Sequence, residues 1–273
     1  MSHYAVAVIH HENQDIDELL APYSEHIEVE PYINRTKEQM IQDGMERKKS
    51  YLKRLDDLKK ESYYESQIVP YLNAKTKEDF YNLERYDDMK YDDDGNELTT
   101  YNPKSKWDWY QIGGRFGGML RINDKEALME DLEGDYDNYI DDGVALCDSA
   151  PIKTIDFSMD KEHYKEAKRW FEVVVEGDKP RNKEEKEWYT IYKPEYYKER
   201  YLDADTYARE CAEFSTFSVV TPDGEWHEAG KMGWFGCSNE TPEDGRAWHR
   251  NYYRDFIATA DPNDILTIVD CHI

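Results

Sequence analysis

The chain reads as an α+β protein: a mostly antiparallel sheet that includes the N- and C-terminal strands, helices largely on one face, and a helical insertion. Three observations predict this. Apolar, β-branched runs stand at both ends of the chain, a strong hairpin turn lies in its last quarter, and capped amphipathic segments are interposed between strand-like runs. A single domain over residues 1–273 is expected, with 36–90 as a helical insertion or lobe.

Taken in order, Tyr4 to Ile9 is apolar on both alternating faces, as a central strand requires. Asp15 is a candidate N-cap for a short helix or turn ending near Tyr23. Ile27 to Glu30 alternates as a strand that should stop before Pro31, which has no N–H to give a ladder. Thr36 caps a long helix, because Met40, Ile41, Met45, Leu52, Leu55 and Leu58 fall near helical spacing. Thr76 caps a shorter one through Phe80, Leu83 and Tyr86. Ile152 to Phe157 reads as a strand, and Asp160 caps a helix with His163, Ala167, Trp170 and Phe171 on one side. Val173 to Val175 either continues that helix or forms a strand. Residues 177–198 read as a connection, and Asp203 or Asp205 starts a helix through Cys211. Ser215 to Val220 and Glu225 to Glu228 flank the turn Pro222-Asp223-Gly224. Thr241, followed by Pro242 and two acids, opens a helix to about Ala260 that buries Trp248, Tyr252 and Phe256, and Ile265 to Ile273 is the last strand.

Composition narrows the class. Sixty Asp and Glu against 35 Lys and Arg give a formal charge of -25, yet 14% aromatics, with 23 Tyr and 7 Trp, supply the buriable surface that a disordered chain lacks. No run approaches the ~20 apolar residues of a membrane span, and no signal peptide opens the chain. A soluble, cytoplasmic protein is expected. A surface this acidic repels phosphate backbones, so nucleic acid is not expected as a direct ligand, whereas basic protein surfaces are attractive partners. The four cysteines form no CxxC pair, and no P-loop, Rossmann fingerprint or nucleophile elbow occurs, so no cofactor is expected.

The most unusual segment is Trp107-Asp108-Trp109-Tyr110-Gln111-Ile112-Gly113-Gly114-Arg115. Strand alternation would put Trp107 and Trp109 on one side and Asp108 and Tyr110 on the other. Gly113-Gly114 permits positive dihedrals or a close backbone approach. Arg115 could be held by Asp108 or offer its fork to an anion at a glycine-made nest. Packing of an aromatic strand and bulge is the alternative. If a ligand binds here, its residues are Asp108, Tyr110, Gly113, Gly114 and Arg115, with Asp108 as base or acceptor, Tyr110 as donor and Arg115 as anion clamp.

This motif, with Tyr101 to Lys106 before it, the hydrophobic opening strand and the closing Asp270-Cys271-His272, resembles a family of largely uncharacterised proteins encoded by bacteriophages and mobile elements. The resemblance brings no activity or catalytic residue with it. Together with the charge of -25 and the missing catalytic signatures, it leads to the expectation of a phage-type accessory protein in a host cytoplasm, acting by protein binding as an inhibitor of a host defence or nucleic-acid-processing protein with a basic surface. Partner contacts would come from Asp92, Asp93 and Asp94, and from Glu130, Asp131, Glu133, Asp135, Asp137, Asp141 and Asp142, where acids interleave with Tyr136 and Tyr139. The enzyme or small-ligand reading at the Trp107 to Arg115 turn stands as the alternative.

Metal readings are weaker. With Gly95 at the sixth position of an EF-hand loop, Lys90 falls at the first position and Tyr101 at the twelfth, and the loop around Asp141-Asp142-Gly143 puts Ile140 at the third. His10, His11, Cys271 and His272 offer zinc-like ligands only if the terminal strands are neighbours, and adjacent residues point to opposite faces, leaving an incomplete shell. No metal site is expected. A Cys237 nucleophile with His227 or His249 would need a proximity that sequence does not show.

Overall fold

A computed structural model describes residues 2–122, 139–141, 144–233 and 237–273. The chain forms two compact units, Met1–His26 with Lys104–Ile273, and Ile27–Pro103. Along the chain, β1 (His3–His10) and α1 (Ile16–Leu20) lead into the second unit. That unit holds β2 (Glu28–Arg35), α2 (Lys37–Lys53), α3 (Leu55–Leu58), α4 (Val69–Asn73), α5 (Lys77–Glu84), β3 (Lys90–Tyr91) and β4 (Glu97–Tyr101). The first unit resumes with β5 (Trp109–Ile112), β6 (Leu120–Ile122), β7 (Tyr139–Asp141), β8 (Val144–Cys147) and β9 (Ser149–Pro151). It ends with α6 (Lys161–Val174), α7 (Pro194–Tyr201), α8 (Ala204–Ala212), β10 (Ser218–Val220), β11 (Trp226–Glu228), α9 (Pro242–Tyr252) and β12 (Ile265–His272). The fold is α+β, and among the described residues no helix is long and apolar enough to cross a membrane.

The two terminal strands are the spine of the first unit. β1 pairs antiparallel with β12 over its whole length, from His3 opposite His272 to His10 opposite Ile265. β10 lies parallel to β1 on its other side and is followed by β11, giving the order β11-β10-β1-β12-β5. The outer edge of β12 is shared: β5 pairs with Val269 to His272 and β9 with Ile265 to Thr267. Because both faces of β1 and β12 are covered, both strands are apolar at nearly every position. On one face Ala7, Ile9, Leu266 and Ile268 pack under Tyr252 and Ile257, and on the other Val6, Val8, Val269 and Cys271 pack against Leu19 and Leu20. Truncating Leu266 or Ile268 to Ala there costs about 2–5 kcal/mol. A second small sheet, β6-β8-β7, belongs to the same unit, and α6 and α8 enclose Phe171, Val175 and Ala204 within a shell of Trp170, Tyr197, Tyr201 and Tyr207.

The second unit combines the sheet β2-β4-β3 with α2 to α5. Gly44 lets α2 close on α5, since a Cβ there would stand 3.0 Å from Cβ of Phe80. Glu84 is fully buried and satisfied by Arg47 Nε (2.9 Å), Tyr71 OH (2.9 Å) and Arg35 Nη1 (3.4 Å). Glu97 accepts from Arg35 and Asn34, which hold its carboxyl below the usual carboxylate range.

Several elements depart from their sequence-based expectation for local reasons. β2 runs through Pro31 to Arg35, because Pro31 falls inside a register shift between Glu28 and Tyr32 where no ladder bond is required of it. The long helix breaks at Arg54, which leaves helical dihedrals at φ -118° and ψ 18°. The strand expected from Ile152 is a 3₁₀ turn at Ile152–Thr154, because β9 ends in Pro151 and the next amides turn to Asp264 and Pro262 carbonyls. Val173 and Val174 continue α6, and α7 opens on Pro194 inside the stretch read as a connection. The caps at Asp15, Thr36, Thr76, Asp160, Asp203 and Thr241 all accept main-chain N–H bonds from the first turn of a helix.

Candidate functional site

The register of three strands sets one polar row across the end of the main sheet. His3 on β1 lies opposite His272 on β12, and His272 lies opposite Trp109 on β5. The next row on that face holds Ala5, Asp270 and Gln111. Strand alternation thus continues the Ile268 face into Asp270 and His272, and the apolar face ends in charge.

Each imidazole is held by a carboxylate. His3 Nδ1 meets Asp270 Oδ1 at 2.9 Å, and His272 Nδ1 meets Asp108 Oδ1 at 2.6 Å. A carboxylate only accepts, so Nδ1 carries the hydrogen on each ring, and in the neutral tautomer Nε2 is left as the base. The two rings meet edge to face with centroids 5.0 Å apart, and Trp109 stacks on His272 at 5.0 Å with its other surface partly open to solvent. Neither Nε2 has a hydrogen-bond partner among the described residues. The imidazoles are mostly buried, His3 at 12% and His272 at 6% side-chain exposure.

The Gly-Gly-Arg turn fixes this arrangement from below. Gly113 and Gly114 both take positive φ, +68° and +53°. A Cβ on Gly113 would stand 2.2 Å from Asp148 Oδ2, and one on Gly114 would stand 2.5 Å from Cβ of Asp270. The turn's amides are spent on those acids: Arg115 N–H donates to Asp270 Oδ2 (2.9 Å) and Gly118 N–H to Asp148 Oδ1 (2.6 Å). Asp270 is therefore shared between the turn and His3. Burial pushes the Asp148 carboxyl up, against the pull of the Gly118 N–H.

The structure distributes the sequence-predicted residues unevenly. Asp108 binds His272, and its carboxylate also accepts from the Trp109 N–H. It does not hold Arg115, whose side chain is exposed and whose main-chain N–H makes the buried contact. Tyr110 lies on the opposite face with Trp107, ring against ring at 5.1 Å, while Trp107 Nε1 donates to the Leu20 carbonyl. The expected pairing of Trp107 with Trp109 is thus replaced by Trp107 with Tyr110, because β5 begins only at Trp109 and Trp107 precedes the regular alternation. On that face burial also pushes the Tyr4 hydroxyl and the Cys271 thiol well up.

Asp92 is tied into its own turn, accepting from the Asn96 side-chain amide and from the main-chain N–H groups of Asn96 and Asp94, and these bonds lower its carboxyl; Asp93 and Asp94 are exposed. Asp141 contributes backbone to β7, whereas Glu130, Asp131, Glu133, Asp135, Asp137 and Asp142 lie outside the described residues. The terminal strands are neighbours, but their antiparallel register puts His10 beside Ile265, at the end away from Cys271 and His272. Among the described residues no group of three or more His, Cys, Asp or Glu is placed to hold a metal ion. His227 bonds Thr221, and His249 bonds Ser215.

Sequence reasoning missed His3, Asp270 and Asp148. Asp270 and His272 stand two apart on a strand, a spacing that puts both on one face, and this was the readable signal. His3 has no such sign, since only the β1–β12 register brings it to His272. No known family, curated protein or solved structure matches this chain.

Proposed function

We propose that the protein binds a small polar ligand at the His3–His272 pair and acts on it by proton transfer. The observation that carries this reading is the pair itself: two adjacent imidazoles, each fixed through Nδ1 by its own carboxylate, each with an unpartnered Nε2. A neutral ring takes a proton at Nε2 and a charged one gives it, so adjacent rings in opposite states supply base and acid together. Asp270 and Asp108 orient the rings and stabilise whichever is charged, the role of the orienting acid in a triad. Trp109 offers an open aromatic surface beside them.

The test is a nitrogen-resolved NMR titration of the histidines, followed by hydrolysis of bis(p-nitrophenyl) phosphate, whose cleavage is assisted by a base that activates water and whose p-nitrophenolate leaves without a proton. The expected result is Nδ1–H tautomers for both residues and turnover lost in His3→Gln and in His272→Gln while both variants remain folded by circular dichroism, each with a lowered thermal midpoint because its carboxylate partner loses a bond. Nε2–H tautomers, or turnover equal to wild type in both variants, would overturn the reading.

A second reading rests on charge. At -25 the chain is suited to a partner with a basic surface, in a phage-type setting a host defence or nucleic-acid-processing protein. Replacing Asp93 and Asp94 and the acids between Glu130 and Asp142 with Asn or Gln should then weaken partner capture and flatten its salt dependence. An unchanged salt slope would count against it.

A further inference from the structure

A second cluster, apart from the His3–His272 pair, joins a hydroxyl, an imidazole and a carboxylate. Ser215 Oγ lies 3.0 Å from His249 Nδ1, and Glu213 Oε2 lies 3.4 Å from His249 Nε2. The three come from the turn that links α8 to β10 and from the middle of α9. His249 is 9% exposed, and its Nε2 is sealed from solvent without a hydrogen bond of good geometry. Glu213 Oε1 is engaged by Arg209 at 2.9 Å, which leaves Oε2 for the imidazole. When Ser215 donates to Nδ1, the ring's own hydrogen sits on Nε2, and Glu213 is the acceptor that faces it. A buried N–H with no acceptor costs about 1–3 kcal/mol. Once the ring is charged, the same carboxylate becomes its counter-ion.

The cluster stands at the junction of two clefts of about 410 and 270 Å³, Ser215 lining the larger and His249 the smaller. Both are walled by Phe157, Glu213 and Phe214, and the smaller adds Met159 and Tyr253. Glu210 in the larger cleft is held toward its neutral form by burial, Arg121 there is already engaged by Asp156 and Asp160, and Arg250, which lines the smaller cleft, pairs with Glu243 at 3.7 Å. Acids and aromatic rings disfavour phosphates and carboxylates as substrates and suit an uncharged, apolar one.

We propose that Ser215, His249 and Glu213 form an acyl-transfer site for neutral carboxylic esters with apolar acyl groups. Ser215 Oγ forms a bond to the ester carbonyl carbon as its proton passes to His249 Nδ1. The tetrahedral adduct breaks the bond to the leaving alcohol, which takes that proton from Nδ1. Water then attacks the acyl-serine, again giving a proton to His249, and release of the acid returns it to Ser215 Oγ. Glu213 is a positioning residue that holds the ring and its charge.

The test uses the full-length chain and a fluorophosphonate probe, with the adduct located by peptide mass spectrometry, alongside hydrolysis of p-nitrophenyl butyrate. A single adduct on Ser215 is expected, absent in Ser215→Ala, with hydrolysis falling at least about 100-fold in that variant and in His249→Gln, the scale of general-base catalysis. Glu213→Gln should lower kcat more than it raises KM and shift the pH profile, which a purely structural role would not do. Labelling must persist in His3→Gln/His272→Gln, which separates this site from the other one. Folded wild type that gives no Ser215 adduct, or Ser215→Ala that hydrolyses butyrate at the wild-type rate, would overturn the proposal; the labelling arm does not depend on any variant folding.

Discussion

Gly114→Ala tests whether the Gly-Gly-Arg turn is what fixes Asp270. Gly114 sits at φ +53°, where an L side chain costs roughly 1–2 kcal/mol. Its new Cβ would stand 2.5 Å from Cβ of Asp270 and 2.6 Å from Oδ2, against about 3.5–4.0 Å for carbon atoms in contact. The atom it meets belongs to a central strand and cannot swing aside, so relieving the overlap moves the turn or β12, at about 1–3 kcal/mol for overpacking. Either movement loosens the Arg115 and His3 bonds to a buried acid, at about 1–3 kcal/mol more. The sum is about 3–8 kcal/mol, and at roughly 2–4 °C per kcal/mol for a chain near this size even its lower end shifts the thermal midpoint by about 6 °C or more. Gly177→Ala is the control: its φ is +86° but nothing lies within 4 Å, so only the backbone term remains. The assay is thermal unfolding of both variants, with the His3 tautomer followed by NMR. Equal midpoints for the two variants, or a His3 signal unchanged in Gly114→Ala, would refute the reasoning.

Other expectations follow from the same geometry. Glu84→Gln removes the charge that Arg47 and Arg35 share at a buried carboxylate, but Arg47 is 43% exposed and Arg35 keeps Glu97, so the second unit should lose about 1–3 kcal/mol in urea denaturation. Glu97 has its folded-state pKa lowered by Arg35, so its contribution is present above its unfolded value of about 4.3 and is lost as pH falls from there through the folded value. The stability difference between wild type and Glu97→Gln should therefore shrink as pH is lowered through that window. Asp148 has its folded-state pKa raised by burial, so its ionisation opposes folding as pH rises through and above its ordinary value. Asp148→Asn keeps an acceptor for the Gly118 N–H, and its stability relative to wild type should improve from pH 4 to pH 7.

The motif shows where local reading ends. Trp109, Gln111 and the need for glycine at 113 and 114 follow from strand alternation and from the absence of a Cβ, and both are local properties. The partner of Asp108 is not local: it binds His272, 164 positions away, and not the nearby Arg115. Charge type alone favours an arginine, whereas the register places a histidine within reach. Likewise Ser215 and Glu213 share a turn, but His249 reaches them only because Trp248 and Tyr252 dock α9, and Phe256 the turn after it, on the sheet.

What the sequence determined by itself was the set of elements whose causes lie within a few residues. These are the side chains that accept first-turn amides at Thr36, Thr76, Asp160 and Thr241, the hairpin turn at Asp223-Gly224, and the apolar strands at the two ends. Strand pairing, the break at Arg54 and the passage of β2 through Pro31 were decided by tertiary structure, and so was the meeting of His3 with His272. A register between segments some 270 residues apart is chosen by which pairing buries both faces of β1 and β12 at once. That condition belongs to the packed sheet, and no window of the chain contains it.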